Sequence, residues 1–122
     1  MGEVARTLDE FFTGSADGAA IGGAVAEMVD EVGPAEMRIS KSQIAFRRRR
    51  GFAYLWVPGR YVKSDVLVVL SIALPYEVRS ARFKEVAHPA KSTWMHHIEL
   101  RAVGEIDGQV LGWVTEAYDE AG

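Results

Sequence analysis

From Ala20 to Val32 the apolar residues Ala20, Ile21, Ala24, Val25, Met28, Val29 and Val32 recur at spacings of three and four, which places them on one helical face. Asp17 stands where a cap for that helix belongs, and Gly33-Pro34 supplies its stop. A shorter pattern of Leu8, Phe11 and Phe12 follows a capping-box pair, Thr7 and Glu10, and Gly14 closes it. Near the other end Asp107 precedes a third periodic run in which Val110, Leu111, Val114, Ala117 and Tyr118 turn inward, with Ile106 stapled against Leu111. The pattern predicts helices over about 8–13, 18–32 and 108–120.

Between Ala35 and Val103 the period shortens to two, and the runs are bounded by Gly, Pro and Ser. Five strands are predicted: Glu36 to Ser40, Ser42 to Arg48, Phe52 to Val57, Val66 to Leu74 and Thr93 to Ala102. The fourth contains VLVVLSIAL, apolar on both faces, and is expected at the centre of the sheet. Connections of a few residues favour antiparallel neighbours, because a parallel crossover needs a dozen or more. The expected architecture is α+β: a mainly antiparallel sheet of about five strands over residues 36–102, with two N-terminal helices and one C-terminal helix packed on one face. Pro75 to Ser92 reads as irregular, either a surface excursion pinned by Phe83 and Val86 with a helical turn near Ala81 to Val86, or a basic lid. Gly22 and Gly23 lie inside the second helix at about 1 kcal/mol each relative to Ala, and close packing against the sheet or a second subunit is the expected compensation.

The 122 residues fit one domain, 1–122. With no cysteine there are neither disulfides nor thiolate metal ligands, and a reducing compartment suits the chain. No apolar run approaches the ~20 residues of a membrane span, and MGEVARTLDEFF lacks the apolar core of a signal peptide, so the expected location is cytoplasmic and no membrane partner is foreseen. The net charge of −3 conceals a division. Residues 37–101 hold thirteen basic and four acidic residues, a net of +9, and the flanks hold one basic and thirteen acidic, a net of −12. A field of that shape attracts anions to the middle of the chain unless strands and acidic helices neutralise each other.

The middle also carries the candidate chemistry. Four arginines, Arg47 to Arg50, lead through Gly51 into Phe52, Tyr54 and Trp56, and the hairpin register decides what the rings do. With a two-residue turn, Phe46 pairs with Leu55, Ala45 faces Trp56, and Tyr54 and Trp56 stand on an open basic face. With a three-residue turn, Phe46 meets Tyr54, Ile44 meets Trp56, and the aromatics enter the core. Both remain open on sequence alone. The open face would suit an anionic partner, nucleic acid or a phosphorylated small molecule. Lys41, Arg47, Arg49 and Lys84 would then contact phosphate, Tyr54 and Trp56 would stack, and His97 with Arg101 would supply polar contacts at the rim. The expected role is a binding or accessory module, not an enzyme. The alternatives are a structural homodimer or protein-docking domain, and a small enzyme using His97 and Glu99 for acid-base chemistry. Strand alternation sends His96 and His97 to opposite faces, so the pair does not make a two-ligand metal motif, and no metal or cofactor is expected. His96 reads as a satisfied core or edge histidine. Ser40, Ser42, Ser71 and Ser92 have no base visible in sequence, and no phosphate-loop or dinucleotide fingerprint is present.

Two segments, KSQIAFRRRRGFAYLWVPGRY from Lys41 to Tyr61 and ARFKEVAHPAKSTWMHHIEL from Ala81 to Leu100, resemble an uncharacterised bacterial domain-of-unknown-function family, catalogue number 5655. The resemblance runs from Leu8 to Gly122. It implies a small cytosolic domain, found alone or appended to other modules, and it brings no substrate, cofactor or catalytic residue with it.

Overall fold

The structure, a computed structural model, describes residues 6–60 and 64–122. Lys63 of the basic middle and the first residues of the chain, on which the signal-peptide reading rests, lie outside the described residues. The elements in chain order are α1 (Leu8–Phe11), α2 (Ala16–Val32), β1 (Glu36–Ile39), β2 (Ile44–Arg47), β3 (Gly51–Trp56), β4 (Val68–Leu74), β5 (Phe83–Ala90), β6 (Thr93–Leu100) and α3 (Gly108–Glu120), with short 3-10 turns at Pro58–Arg60 and Val103–Glu105. The strands form one antiparallel sheet in the order β1-β2-β3-β4-β6-β5. The α+β class and the antiparallel sheet are those expected, but the strands among the described residues number six.

The additional strand is β5, and it replaces the irregular excursion, helical turn or lid expected between Pro75 and Ser92. It pairs with β6 from Phe83↔Ile98 to Ala90↔Thr93, with register shifts between Phe83 and Glu85 and between Ala87 and Ala90. Those shifts erase the two-residue alternation by which a strand is read. At a sheet edge one side of the ladder is unpaired, so Pro89 and the neighbouring charges Lys84 and Glu85 are tolerated there. Phe83 anchors the strand, its ring 4.4 Å from that of Trp113 in α3 and 4.8 Å from His96.

All three helices pack on one face. Ile21, Val25 and Val29 of α2 and Val110, Val114 and Ala117 of α3 join Ile44, Leu55, Leu70, Ile72, Ile98 and Leu100 of the sheet in a single apolar cluster. Leu70 and Ile72 come from β4, which is central as its two-sided apolarity predicts. Caps set the helix ends. Thr7 accepts from the Glu10 N–H, and Asp107 accepts from the Val110 N–H. The cap of α2 is Ser15, not Asp17: its hydroxyl accepts from the Gly18 N–H, which starts the helix two residues earlier. Leu111 is 36% exposed and does not turn inward with its neighbours. The glycine in α2 that needs its small size is Gly22, where a Cβ would meet the Phe12 ring of α1; nothing lies within 4 Å of a Cβ at Gly23. The close approach at Gly22 is therefore to α1.

Arg82 ties the start of β5 to α3. Its guanidinium donates to both oxygens of Asp107, at 2.8 and 3.0 Å, and to the Glu105 carbonyl at 2.7 Å. That contact is the main reason the Asp107 carboxyl titrates below the usual carboxylate range, with the Val110 N–H adding to it.

Candidate functional site on the open sheet face

The register of β2 and β3 decides the site. Ile44 pairs with Leu55, Ala45 with Tyr54 and Phe46 with Ala53, then the register shifts so that Arg47 meets Gly51. Neither register expected from the sequence is realised, because Phe52 is an extra residue in β3, a β-bulge. The bulge turns Phe52 under the helices, fully buried with its ring 5.4 Å from Tyr118. Tyr54 and Trp56 keep the opposite face, which none of the three helices covers.

Strand pairing carries that face across the sheet as rows. One row runs Arg38, Ala45, Tyr54, Ser71, His97, Glu85, and a neighbouring one runs Trp56, Val69, Glu99. Successive strands are about 4.8 Å apart. The small side chain of Ser71 lies beside the Tyr54 ring in that row. Gln43, Tyr54, Trp56, Ser71, Met95 and His97 line a shallow cavity of about 350 Å³. A second depression of about 230 Å³ shares Tyr54 and Met95 and continues toward the end of α3. Tyr54 is held by its neighbour: a Cβ at Gly51 would strike its ring and hydroxyl, so the glycine is what lets the ring lie where it does.

At the floor of the cavity the Trp56 indole Nε1–H donates to Ser71 Oγ at 2.9 Å, and Ser71 Oγ is 2.6 Å from His97 Nδ1. The Trp56 and His97 rings meet edge to face, with centroids 6.0 Å apart. Burial lowers the His97 pKa below its ordinary value, His96 adds to the shift, and the carboxylate of Glu85 opposes it. The neutral form of His97 is thereby favoured. Its chain neighbour His96 points the other way, as alternation requires, and is fully buried. The His96 Nε2 accepts from the Val78 N–H at 2.9 Å while Nδ1 lies 3.0 Å from the Trp94 carbonyl, so both nitrogens are used in holding backbone. Among the described residues no group of three or more His, Asp or Glu is arranged to hold a metal ion.

The arginine run divides between two tasks. Arg48 donates to the Tyr118 carbonyl at 2.9 Å and lies over the Tyr118 ring, Arg50 donates to the Glu120 carbonyl at 2.8 Å, and the Arg49 N–H donates to the Ala121 carbonyl at 3.0 Å. Three carbonyls at the end of α3 are thereby satisfied, and two cations meet the negative end of its dipole. Arg47 stays on the open face, and Arg50 also lines the depression that shares Tyr54. Arg47 shares one oxygen of Glu36 with Arg38, at 3.8 and 3.1 Å, which leaves a net positive charge next to Ala45 and Tyr54.

The eight residues expected to form a site are thus only partly gathered. Tyr54, Trp56 and His97 line one cavity, and Arg47 pairs with Glu36 elsewhere on the same sheet face. Lys84 and Arg101 belong to a separate depression with Arg82 and Glu105, and Arg101 is paired with Asp65 and Glu99, each at 3.6 Å. Arg49 sits at the hairpin tip by the end of α3, and Lys41 in the turn between β1 and β2. Glu99 contacts Arg101, and the carboxylate that acts on His97 is Glu85 across the strand pair, so the His97–Glu99 couple is not assembled as a unit. Sequence reasoning missed Gln43, Ser71, Met95 and Arg38. For Ser71 a signal existed: it is the single polar residue in an apolar central strand, and a buried hydroxyl there requires partners. Its base, invisible in sequence, is the His97 imidazole to which it is bonded.

No curated protein and no solved structure matches the chain. A family model does match, over residues 8–121, and by that match the chain belongs to the domain-of-unknown-function family DUF5655.

Proposed function

We propose that this domain is a non-catalytic binding module whose open sheet face takes an anionic ligand carrying a flat ring, a nucleotide or a similar phosphorylated small molecule. The observation that carries the reading is the placement of Tyr54 and Trp56 on the helix-free face, lining one cavity with His97. A volume of about 350 Å³ lies at the lower end of the range for small-ligand pockets and suits one ring system. The positive charge left by Arg38 and Arg47 over Glu36 lies about two strands from Tyr54, a separation of about 10 Å that long arginine side chains and a sugar-phosphate span together.

Charge distribution favours a small ligand over a long strand of nucleic acid. Arg48 and Arg50 are engaged by α3, Arg101 by Asp65 and Glu99, and Glu85 and Glu99 stand on the same face. A polyanion needs a continuous basic track, and the face carries one cationic corner. The non-catalytic part of the reading is supported by Ser71, which is 3% exposed and receives the Trp56 N–H on the oxygen a nucleophile would use. Calorimetric titration with nucleoside 5′-monophosphates and with a short single-stranded oligonucleotide tests the reading. Saturable mononucleotide binding that disappears in Tyr54→Ala is expected. The reading is lost if no mononucleotide binds, or if only the oligonucleotide binds with a steep salt dependence.

A further inference from the structure

The cavity holds one imidazole bonded at Nδ1 to a hydroxyl that already accepts an indole proton. An indole N–H is a donor with no acceptor capacity, so Ser71 Oγ accepts from Trp56. The hydroxyl proton is then free to go to the other near atom, His97 Nδ1. A neutral imidazole that accepts at Nδ1 carries its own proton on Nε2. Nε2 has no hydrogen-bond partner among the described residues, and the ring lines the cavity. The edge-to-face contact with Trp56 fixes the plane of the ring, so the donor direction is fixed too. Gln43, across the cavity before β2, offers an amide that both donates and accepts.

We propose that His97 Nε2–H, oriented through Ser71 and Trp56, is the donor that selects the ligand, and that the ring bound on this face carries a carbonyl oxygen on its edge, as a keto nucleobase does. This rests on the nucleotide reading above and names the class of ring within it. Trp56 and Ser71 act as positioning residues, and His97 touches the ligand. A ring without the carbonyl leaves the N–H facing an apolar edge and forfeits one hydrogen bond. In a cavity this open that loss corresponds to about tenfold in affinity.

The experiment compares inosine 5′-monophosphate with purine riboside 5′-monophosphate, which lacks the ring carbonyl, by calorimetry on the wild type and on His97→Phe. The phenylalanine keeps a flat ring and removes the donor. Long-range proton-nitrogen NMR on the free protein reads the His97 tautomer independently of any ligand. The expected results are an Nε2–H tautomer, about tenfold tighter binding of the inosine nucleotide by the wild type, and nearly equal binding of both by His97→Phe. Equal binding of both by the wild type, or an Nδ1–H tautomer, overturns the selection by His97 while leaving the nucleotide reading intact. If neither nucleotide binds, the nucleotide reading falls and the selection with it.

Discussion

His96 and His97 are chain neighbours with opposite circumstances, and they summarise the two faces of the sheet. His96 lies under the helical layer with no exposure, both nitrogens engaged by backbone groups of Val78 and Trp94 and its ring against Phe83. His97 lies on the open face, half-buried, with one nitrogen engaged by Ser71 and the other without a hydrogen-bond partner among the described residues, and the residue lines a cavity. Polar groups beneath the helices are used up in holding the fold, whereas those on the open face retain a donor. The difference teaches where binding capacity resides. Residue type and position in the chain are nearly the same, and only the direction of the side chain separates structure from chemistry.

The largest effect expected from this comparison is on stability. His96→Ala takes the partner from the Val78 N–H and opens a void beside Phe83, so it should destabilise the domain by about 3 kcal/mol. His97→Ala, at a half-exposed site, should destabilise by less than about 1 kcal/mol. Urea denaturation of both variants measures this, and equal losses would erase the distinction between the faces. Next in size is the divided arginine run. Arg48→Ala removes a charge-assisted bond to the Tyr118 carbonyl at the end of α3 and should lower stability by about 1 kcal/mol, with nucleotide affinity unchanged. Arg47→Ala should do the reverse, weakening binding with little change in melting temperature. Exchange of those two outcomes would place the anion site at the hairpin tip.

The smallest effect is in pH dependence. The folded pKa of His97 is depressed, chiefly by burial, so its unfolded form binds the proton more readily. The stability contributed by the neutral ring is complete above about pH 6.5, the unfolded value, and is lost as pH falls through the lower folded value. Melting curves from pH 8 to pH 5 should show a decline that is shallower in His97→Phe. Coincident curves would mean that the ring titrates as freely in the fold as in the unfolded chain.

Much of this architecture is legible in the residues themselves. The periodicity of α2, the Asp107 cap and the two-sided apolarity of β4 are local signals, and the structure places those elements where the pattern puts them. What was illegible depends on choices between partners. The bulge at Phe52 has no local signature, since it exists only relative to β2, and it is what lets Phe52 enter the core while Tyr54 and Trp56 stay outside. β5 was obscured by its own irregular pairing with β6. The arginines gave the clearest signal and the most misleading one. Their composition suggests a uniform anion site, but Arg48 and Arg50 find the α3 carbonyls about seventy residues away, a contact that only the tertiary fold creates.

The most direct test of the binding face is a map of backbone amide shifts as inosine 5′-monophosphate is added to the isotope-labelled protein. The account predicts that the amides of Gln43, Ala45, Tyr54, Ser71 and His97 move and saturate together, while those of Val25 in α2 and Val114 in α3 remain still. Shifts centred on Arg48 to Arg50 and the end of α3, or none at any concentration, would contradict it.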